Sequence, residues 1–356
     1  MSSARHDALA AAVAERGLDA LLVSNLVNVR WLTGFIGTNA AAVVGAQRRF
    51  VTDFRYLAQS AEQLDPEWER EIATDLLKRV VGGLPAGPLK LGFDDAHMSV
   101  KQHAQLAGLV AQDVELVAAG GVVEALRAVK DSAEIDAIRA AARLADEAFE
   151  EVTSAGIVGR TEKQVALDLE FAMRRRGADS ASFPSIVAAG EHGAHPHARP
   201  RDIPIPAGTL VVIDWGAQLD GYASDCTRTV ATGELDSRDR AVYDLVLRAQ
   251  EEALQAVRPG PTGKEVDAVA RAIIDGSGHA EHFGHGLGHG VGLEVHEGPR
   301  LSKQSDDALA AGNVVTVEPG VYVPGAVGVR IEDLVAVTAA GHEVLSGVSK
   351  ELRVVQ

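Results

Sequence analysis

Apolar and polar positions follow two different rhythms along the chain. Up to about residue 125, short apolar runs alternate with stretches of helical spacing. LDALLVS is a strand candidate. WLTGF, AAAVVG and RRFVTD follow as further strand candidates, with Gly34, Gly37 and Gly45 as turn punctuation. Ala58 to Leu64 and Glu69 to Val81 carry helical spacing. Pro85, Gly87 and Pro88 break the chain before a strand at LKLGFDD; SVKQHAQLAGLV is a helix and VELVAA a strand. The alternation predicts a mixed α/β domain. It offers no catalytic constellation, and Asp94, Asp95 and His97 read as a solvated loop.

A second rhythm begins at Asp131, an N-cap with Glu134 at the third helical position. Ile135, Ile138, Ala142, Ala145, Phe149 and Val152 then recur on one helical stripe, which Gly156 and Gly159 end. Two similar segments follow, TEKQV from Thr161 to Val165 and TGKEV from Thr262 to Val266. Each opens a helix with a capping box, Thr161 with Gln164 and Thr262 with Glu265. Each follows an earlier helix and a glycine-containing loop, and each precedes a hairpin. The earlier helix of the second set runs from about Ser237 to Val257 and is closed by Pro259 and Gly260. This order predicts a duplicated domain of two helix–helix–hairpin halves, its sheet covered by helices on one face. The chain as a whole reads as α+β, with domains at 1–126 and 127–356.

The first hairpin runs through VVID, WGAQ and Asp220-Gly221 and brings Asp214 roughly opposite Asp225. The second runs from VVTVEPG through Pro324-Gly325 to VGVRIEDLVAV and brings Glu318 near Glu332. Residues two apart in a strand share a face, so Arg330 and Glu332 point together while Val329 and Ile331 pack. His289 lies in GHGLGHGVG, whose glycines argue against a helix and against a helical two-histidine zinc motif. No Lys-Ser or Lys-Thr follows to make a phosphate loop. The glycines are expected to let the backbone approach a metal or substrate.

Composition narrows the partners. The 356 residues suit two domains, and the formal net charge of -16 argues against nucleic acid and anionic membrane surfaces. The single cysteine, Cys226, excludes an intramolecular disulfide, suits a reducing compartment and reads as core. The N-terminal stretch is an amphipathic helix interrupted by Glu15 and Arg16, unlike a secretion leader. No apolar run approaches the ~20 residues of a membrane span. A cytoplasmic protein is expected.

Four carboxylates, Asp214, Asp225, Glu318 and Glu332, stand with His289 in otherwise apolar or glycine-rich runs. Carboxylates are costly to bury unpaired, so the set calls for a cation. One aspartate in a strand is more often an edge or turn residue, and one histidine more often surface or core. The set of five carries the prediction. Hard oxygen donors with one imidazole suit manganese, cobalt or zinc. Five side chains serve two ions only if two carboxylates bridge. Two ions ~3.5–4 Å apart activate water and polarise a carbonyl, which predicts a two-metal hydrolase. His192, His195, His279 and His282 read as loop residues.

Asp214 with Asp225 in SDCTRT, then GHGVGLEVHE, TVEPG and RIED, resemble the proline-specific peptidases of the pita-bread fold, prolidase and aminopeptidase P, over about residues 130 to 350. WLTGF and TDFRY resemble the creatinase-type N-terminal domain of their compact two-domain members. The resemblance implies a creatinase-like domain followed by a pita-bread catalytic domain. It implies that Asp214 holds the first metal, that Asp225 and Glu332 bridge, and that His289 and Glu318 complete the second. Glu318 would also shuttle the nucleophile's proton. His296 and His197 would hold the substrate and the tetrahedral intermediate. His285 would line the pocket, and Arg330 would orient the site and meet a substrate carboxylate. The implied cofactor is two divalent ions, manganese first, with cobalt or zinc as alternatives. The implied activity is that of an Xaa-Pro dipeptidase on small Xaa-Pro peptides. Alternatives are an aminopeptidase P-type enzyme acting on longer peptides, and a non-catalytic pita-bread binding protein. A homodimer is implied, with the neighbour's N-terminal domain closing the pocket.

Overall fold

The computed structural model describes residues 2–356 and divides into two units, Met1–Arg127 and Ala128–Gln356. The first contains α1 (Ser2–Glu15), β1 (Ala20–Val23), α2 (Leu26–Thr33), β2 (Ala40–Gly45), β3 (Arg48–Thr52), α3 (Leu57–Gln63), β4 (Glu69–Ile72), α4 (Leu76–Gly82), β5 (Leu89–Phe93), α5 (Val100–Leu109), β6 (Val114–Ala118) and α6 (Val122–Arg127). Its sheet has the order β4-β3-β2-β1-β5-β6. β1 is central and buried at all four positions, antiparallel to β2 and parallel to β5, which explains its unbroken apolar run.

Three local expectations are corrected here. WLTGF ends α2: the Asn25 side chain accepts from Val27 N, and Gly34 closes the helix at φ 77°. The stretch from Glu69 to Val81 splits. Its start pairs with β3 as an edge strand, and Asp75 then caps α4 by accepting from Lys78 N. Asp94 is buried rather than solvated, and Asn28 Nδ2 donates to it at 3.4 Å and to Glu124 at 2.6 Å.

The second unit contains α7 (Ser132–Ser154), α8 (Glu162–Arg175), β7 (Ser180–Ala181), β8 (Ile186–Ala189), β9 (Leu210–Trp215), β10 (Ala217–Leu219), β11 (Tyr222–Ala223), β12 (Cys226–Ala231), α9 (Ser237–Ala256), α10 (Gly263–Gly276), β13 (Gly288–Gly290), β14 (Glu297–Leu301), β15 (Val314–Val317), β16 (Gly320–Val323), β17 (Val327–Arg330), β18 (Asp333–Thr338) and β19 (Gly341–Val344). Capping boxes open α7 at Asp131, α8 at Thr161 and α10 at Thr262. Each half buries its helices on its own hairpin. Ala145, Phe149, Val165 and Leu169 share a core with Ile213 and Trp215. Phe149 stacks on Trp215 at 4.2 Å, and Trp215 Nε1 donates to Ala145 O. Val246, Val266 and Ile274 pack likewise with Val315, Val329 and Val335.

Both hairpins break once without changing register. β9 and β12 continue as β10 and β11, and β15 and β18 continue as β16 and β17. The halves meet where Glu332 N donates to Thr227 O and Arg330 N to Thr229 Oγ1, both at 3.1 Å. Asp225, Glu318 and Glu332 sit in these breaks, and Asp214 lies just before one of them.

Candidate metal centre

Asp214 is the last residue but one of β9 and pairs with Thr227, while Asp225 immediately precedes β12. The two aspartates are thus diagonal, not directly opposite. Continuing the common register of the second hairpin puts Glu318 across from Glu332. His289 is the middle residue of β13. The glycines around it line the cavity at Gly286 and Gly288 and also answer a packing need. A Cβ on Gly288 would lie 2.0 Å from Thr316 O, and one on Gly290 would lie 2.1 Å from Gly298 O. They admit neighbouring backbone, which carries β13 between β14 and β15.

Asp214, Asp225, His289, Glu318 and Glu332 all line one cavity of about 610 Å³, together with His197, His285, His296 and Arg330. Donor atoms of Asp225, His289 and Glu332 lie within 4.8 Å of one another. Glu318 joins through His289: Nε2 is 3.3 Å from Glu318 Oε1 and 3.6 Å from Asp225 Oδ2. Asp214 stands at the edge of the group, held by Arg330. His289 Nδ1 faces Gly290 O at 3.1 Å, which fixes the proton on Nδ1 and aims Nε2 at the carboxylates.

The electrostatics fit divalent cations. Burial, then the charges of Glu332 and Asp214, push Asp225 well above its ordinary value. Burial, Glu318 and Asp214 do the same to Glu332. Burial also raises Asp214, outweighing Arg330. Burial opposes the charge on Glu318 as well, but the hydrogen bond and charge of His289 overcome it and hold the group at about 2. Asp214 Oδ1 and Glu332 Oε1 are buried without a hydrogen-bond partner. An imidazole lone pair facing carboxylate oxygens is repulsive unless a proton or a cation lies between them. Mutually repelling acids with orphaned oxygens and a tautomer-fixed imidazole suit hard-to-borderline cations.

Around this group lies a hydrogen-bonded collar. Arg330 Nη2 donates to Asp214 at 2.7 Å, Nε to Thr227 Oγ1 at 3.0 Å, and Nη1 to Tyr322 OH at 2.9 Å and Pro196 O at 3.1 Å. Thr227 Oγ1 in turn donates to Glu332 Oε2 at 2.7 Å, and Thr316 Oγ1 donates to Glu318 Oε1 at 3.0 Å. His285 Nε2 lies 2.9 Å from Tyr322 OH, whose pKa burial lifts to about 12. His296 packs edge-on to His289 at 4.3 Å, and burial pushes its pKa down. His197 is exposed on the cavity wall beside Pro196 and Ala198.

Sequence reasoning missed Thr227, Thr316, Tyr322 and Arg300. Thr227 and Thr316 had a usable signal, since each lies two residues from a carboxylate and so on its face. Tyr322 had none, because its partners come from other strands. Arg300 lines the cavity from β14 and is exposed.

A duplicated helix–hairpin domain with buried acids at its seam, preceded by a separate mixed α/β domain, defines a class of metal-dependent hydrolases. The chain belongs to metallopeptidase family M24, whose model matches residues 136–339; residues 5–129 match the Creatinase/Prolidase N-terminal domain. It is 41% identical over 338 residues to the peptidase YqhT of Bacillus subtilis (strain 168), covering 94% of this chain and 96% of that one. Among solved structures it is similar to the Xaa-Pro dipeptidase from Bacillus anthracis, at 38% identity and a TM-score of 0.95 over 100% of both chains. It is also similar to the X-Pro aminopeptidase from Thermotoga maritima MSB8, at 35% identity and a TM-score of 0.88, over 95% of this chain and 98% of that one. The architecture is the expected pita-bread arrangement with a creatinase-type domain. Among the described residues, no helix is long and apolar enough to cross a membrane.

Proposed function

We propose that the protein is an Xaa-Pro dipeptidase that hydrolyses the peptide bond before proline. The observation that carries this is the convergence of four acids and His289 on one cavity whose wall also presents Arg300. Asp214, Asp225, His289, Glu318 and Glu332 would hold two divalent ions, manganese first and cobalt or zinc as alternatives. When bound, such a pair acidifies water and polarises the scissile carbonyl.

The chain's own residues supply the rest. Glu318 accepts the proton of the attacking water and passes it to the leaving nitrogen. Partial burial lowers the pKa of His296, and the ring offers an N–H to the oxyanion beside His289. His197 lines the same cavity. His285 shapes the pocket through Tyr322. Arg330 is committed to Asp214, Thr227, Tyr322 and Pro196, which favours an orienting role. The exposed Arg300 is better placed to meet the carboxylate of a short substrate. That carboxylate is the feature separating a dipeptide from the start of a longer peptide.

Turnover of Ala-Pro and Ala-Pro-Ala with manganese, cobalt and zinc tests the reading. Cleavage of Ala-Pro, weakened by Arg300→Ala and by amidation of the substrate, is expected. If Ala-Pro is inert while Ala-Pro-Ala is cut, the aminopeptidase reading replaces it. Fewer than one ion bound after manganese loading would favour a non-catalytic binder. The acidic charge and single buried cysteine support a cytoplasmic location. A homodimer is proposed with it, and light scattering in solution checks that.

A further inference from the structure

One wall of the cavity is a loop rather than a strand. It runs from the end of β8 through a short 3-10 turn at Gly190–Ala194 to Arg201, and it contributes Pro196, His197 and Ala198. Surface loops are ordinarily the mobile parts of a fold. Here both ends of the loop meet one carboxylate. Glu162 opens α8 and is 1% exposed. Its Oε1 accepts from Ala189 N at 3.0 Å, and its Oε2 accepts from Arg201 N at 2.8 Å. The Arg201 side chain adds Nε at 3.1 Å and Nη2 at 3.0 Å. His192 Nδ1 lies 3.1 and 3.0 Å from the two oxygens. A carboxylate is also favoured at the start of a helix by the backbone dipoles. The middle of the loop is tied at Pro196 O by Arg330. His197 therefore sits between an anchor on the residue before it and a staple that closes the loop.

The other half solves the same problem with different residues. Gly263 stands where Glu162 does, and a Cβ there would lie 2.0 Å from Arg300 O. Asp267, one turn further along α10 and 1% exposed, takes over. It accepts from Leu287 N at 3.0 Å and from Arg271 at 2.8 Å. Arg271 donates onward to Phe283 O at 3.0 Å and His285 O at 2.9 Å. In each half, a buried acid on the second helix and an arginine hold a histidine-bearing arm of the pocket.

We propose that Glu162 is a positioning residue for His197, acting on turnover through the loop it staples; this rests on the role given to His197 above. Small displacements of a group that meets the reacting atoms cost up to about a hundredfold in rate. Glu162→Gln keeps the shape of the side chain but loses the charge that gathers Arg201 and His192. The manganese-loaded full chain is expected to keep its metal content and to lose about tenfold to a hundredfold in kcat on Ala-Pro. In a His197→Ala background the same change is expected to cost less than about twofold, because the two residues act as one unit. Hydrogen exchange of residues 190–201 is expected to rise in Glu162→Gln and to stay unchanged in His197→Ala. Equal losses in both backgrounds would assign Glu162 a purely structural role, and unchanged exchange of the loop would show that it is not the staple; either result overturns the proposal. A wild type inactive on every Xaa-Pro peptide sinks the dipeptidase reading, while exchange still decides the staple. Full activity in His197→Ala sinks the role of His197 and this proposal with it. Should Glu162→Gln not fold, Arg201→Gln makes the same measurements at a side chain that is 38% exposed.

Discussion

Arg330 donates from Nη2 to Asp214 Oδ2 over 2.7 Å, and the pair joins the two halves of the domain. The arginine comes from the second hairpin and the aspartate from the first. The contact occupies one Asp214 oxygen and leaves Oδ1 buried and without a hydrogen-bond partner, in a residue that lines the shared cavity. It therefore orients a donor as well as offsetting one of four buried charges.

Removing that guanidinium leaves the buried Asp214 carboxylate without its countercharge. Arg330→Ala is expected to destabilise the metal-free protein by about 3–5 kcal/mol, the usual cost of breaking a buried ion pair from one side. Arg330→Lys should recover little, since an ammonium cannot reproduce the fork that meets Asp214, Thr227 and Tyr322 together. Urea unfolding of the metal-free variants checks both, and wild-type stability in Arg330→Ala would contradict the assignment.

Asp225 experiences repulsion from Glu332, Asp214 and Glu318, with Arg330 the opposing charge. Asp225→Asn is expected to lower the bound manganese below two ions per chain and to abolish Xaa-Pro hydrolysis. The same change relieves repulsion, so the metal-free variant should melt above the metal-free wild type. Metal analysis, activity and calorimetry read the three effects separately. Retained full activity would remove Asp225 from the ligand set.

His296 meets the donor group at the edge of His289. His296→Ala is expected to leave metal content intact and to reduce kcat by ~10²–10³, the range found when an oxyanion donor is lost. Unchanged kcat, or loss of metal, would refute that role.

A stability effect is expected away from the site. Burial pushes the Asp146 carboxyl from 3.8 up to about 6, against a hydrogen bond from Gly347 N. Between those values the folded chain holds a proton that the unfolded chain has lost. Stability is therefore greatest below the unfolded value and falls as pH rises through about 6. At neutral pH the penalty is roughly 3 kcal/mol at most. Asp146→Asn keeps an acceptor for Gly347, so it should melt close to wild type at pH 4 and above it at pH 7.5. Parallel pH profiles of the two proteins would show that Asp146 does not carry this penalty.

Much of the second unit was legible in the sequence because its signals are local. A threonine followed three residues later by glutamine or glutamate specifies a capping box whatever surrounds it, and both helices start as those residues predict. The acids were conspicuous for the opposite reason: each violates the apolar rule of the strand that carries it, and such violations mark functional positions. Reading failed where a neighbour decided. Glu69 to Ile72 has helical spacing, yet β3 recruits it as an edge strand. Asp94 looks like a solvated loop residue until Asn28 draws it inward.

The sequence by itself determined which side chains have to be neutralised together: four acids and an imidazole cannot sit in apolar strands without a shared positive charge. It also determined the doubling of the domain, since each half repeats the same start signals in the same order. Only the tertiary structure decided how those halves face each other. The seam through Thr227, Thr229, Arg330 and Glu332 is made of hydrogen bonds between residues about a hundred positions apart. Local propensity carries no information about such pairs, because their geometry exists only once both cores have packed. The same holds for Glu162, an ordinary helix-opening glutamate in sequence, which becomes the anchor of a pocket wall only when Ala189 and Arg201 close on it.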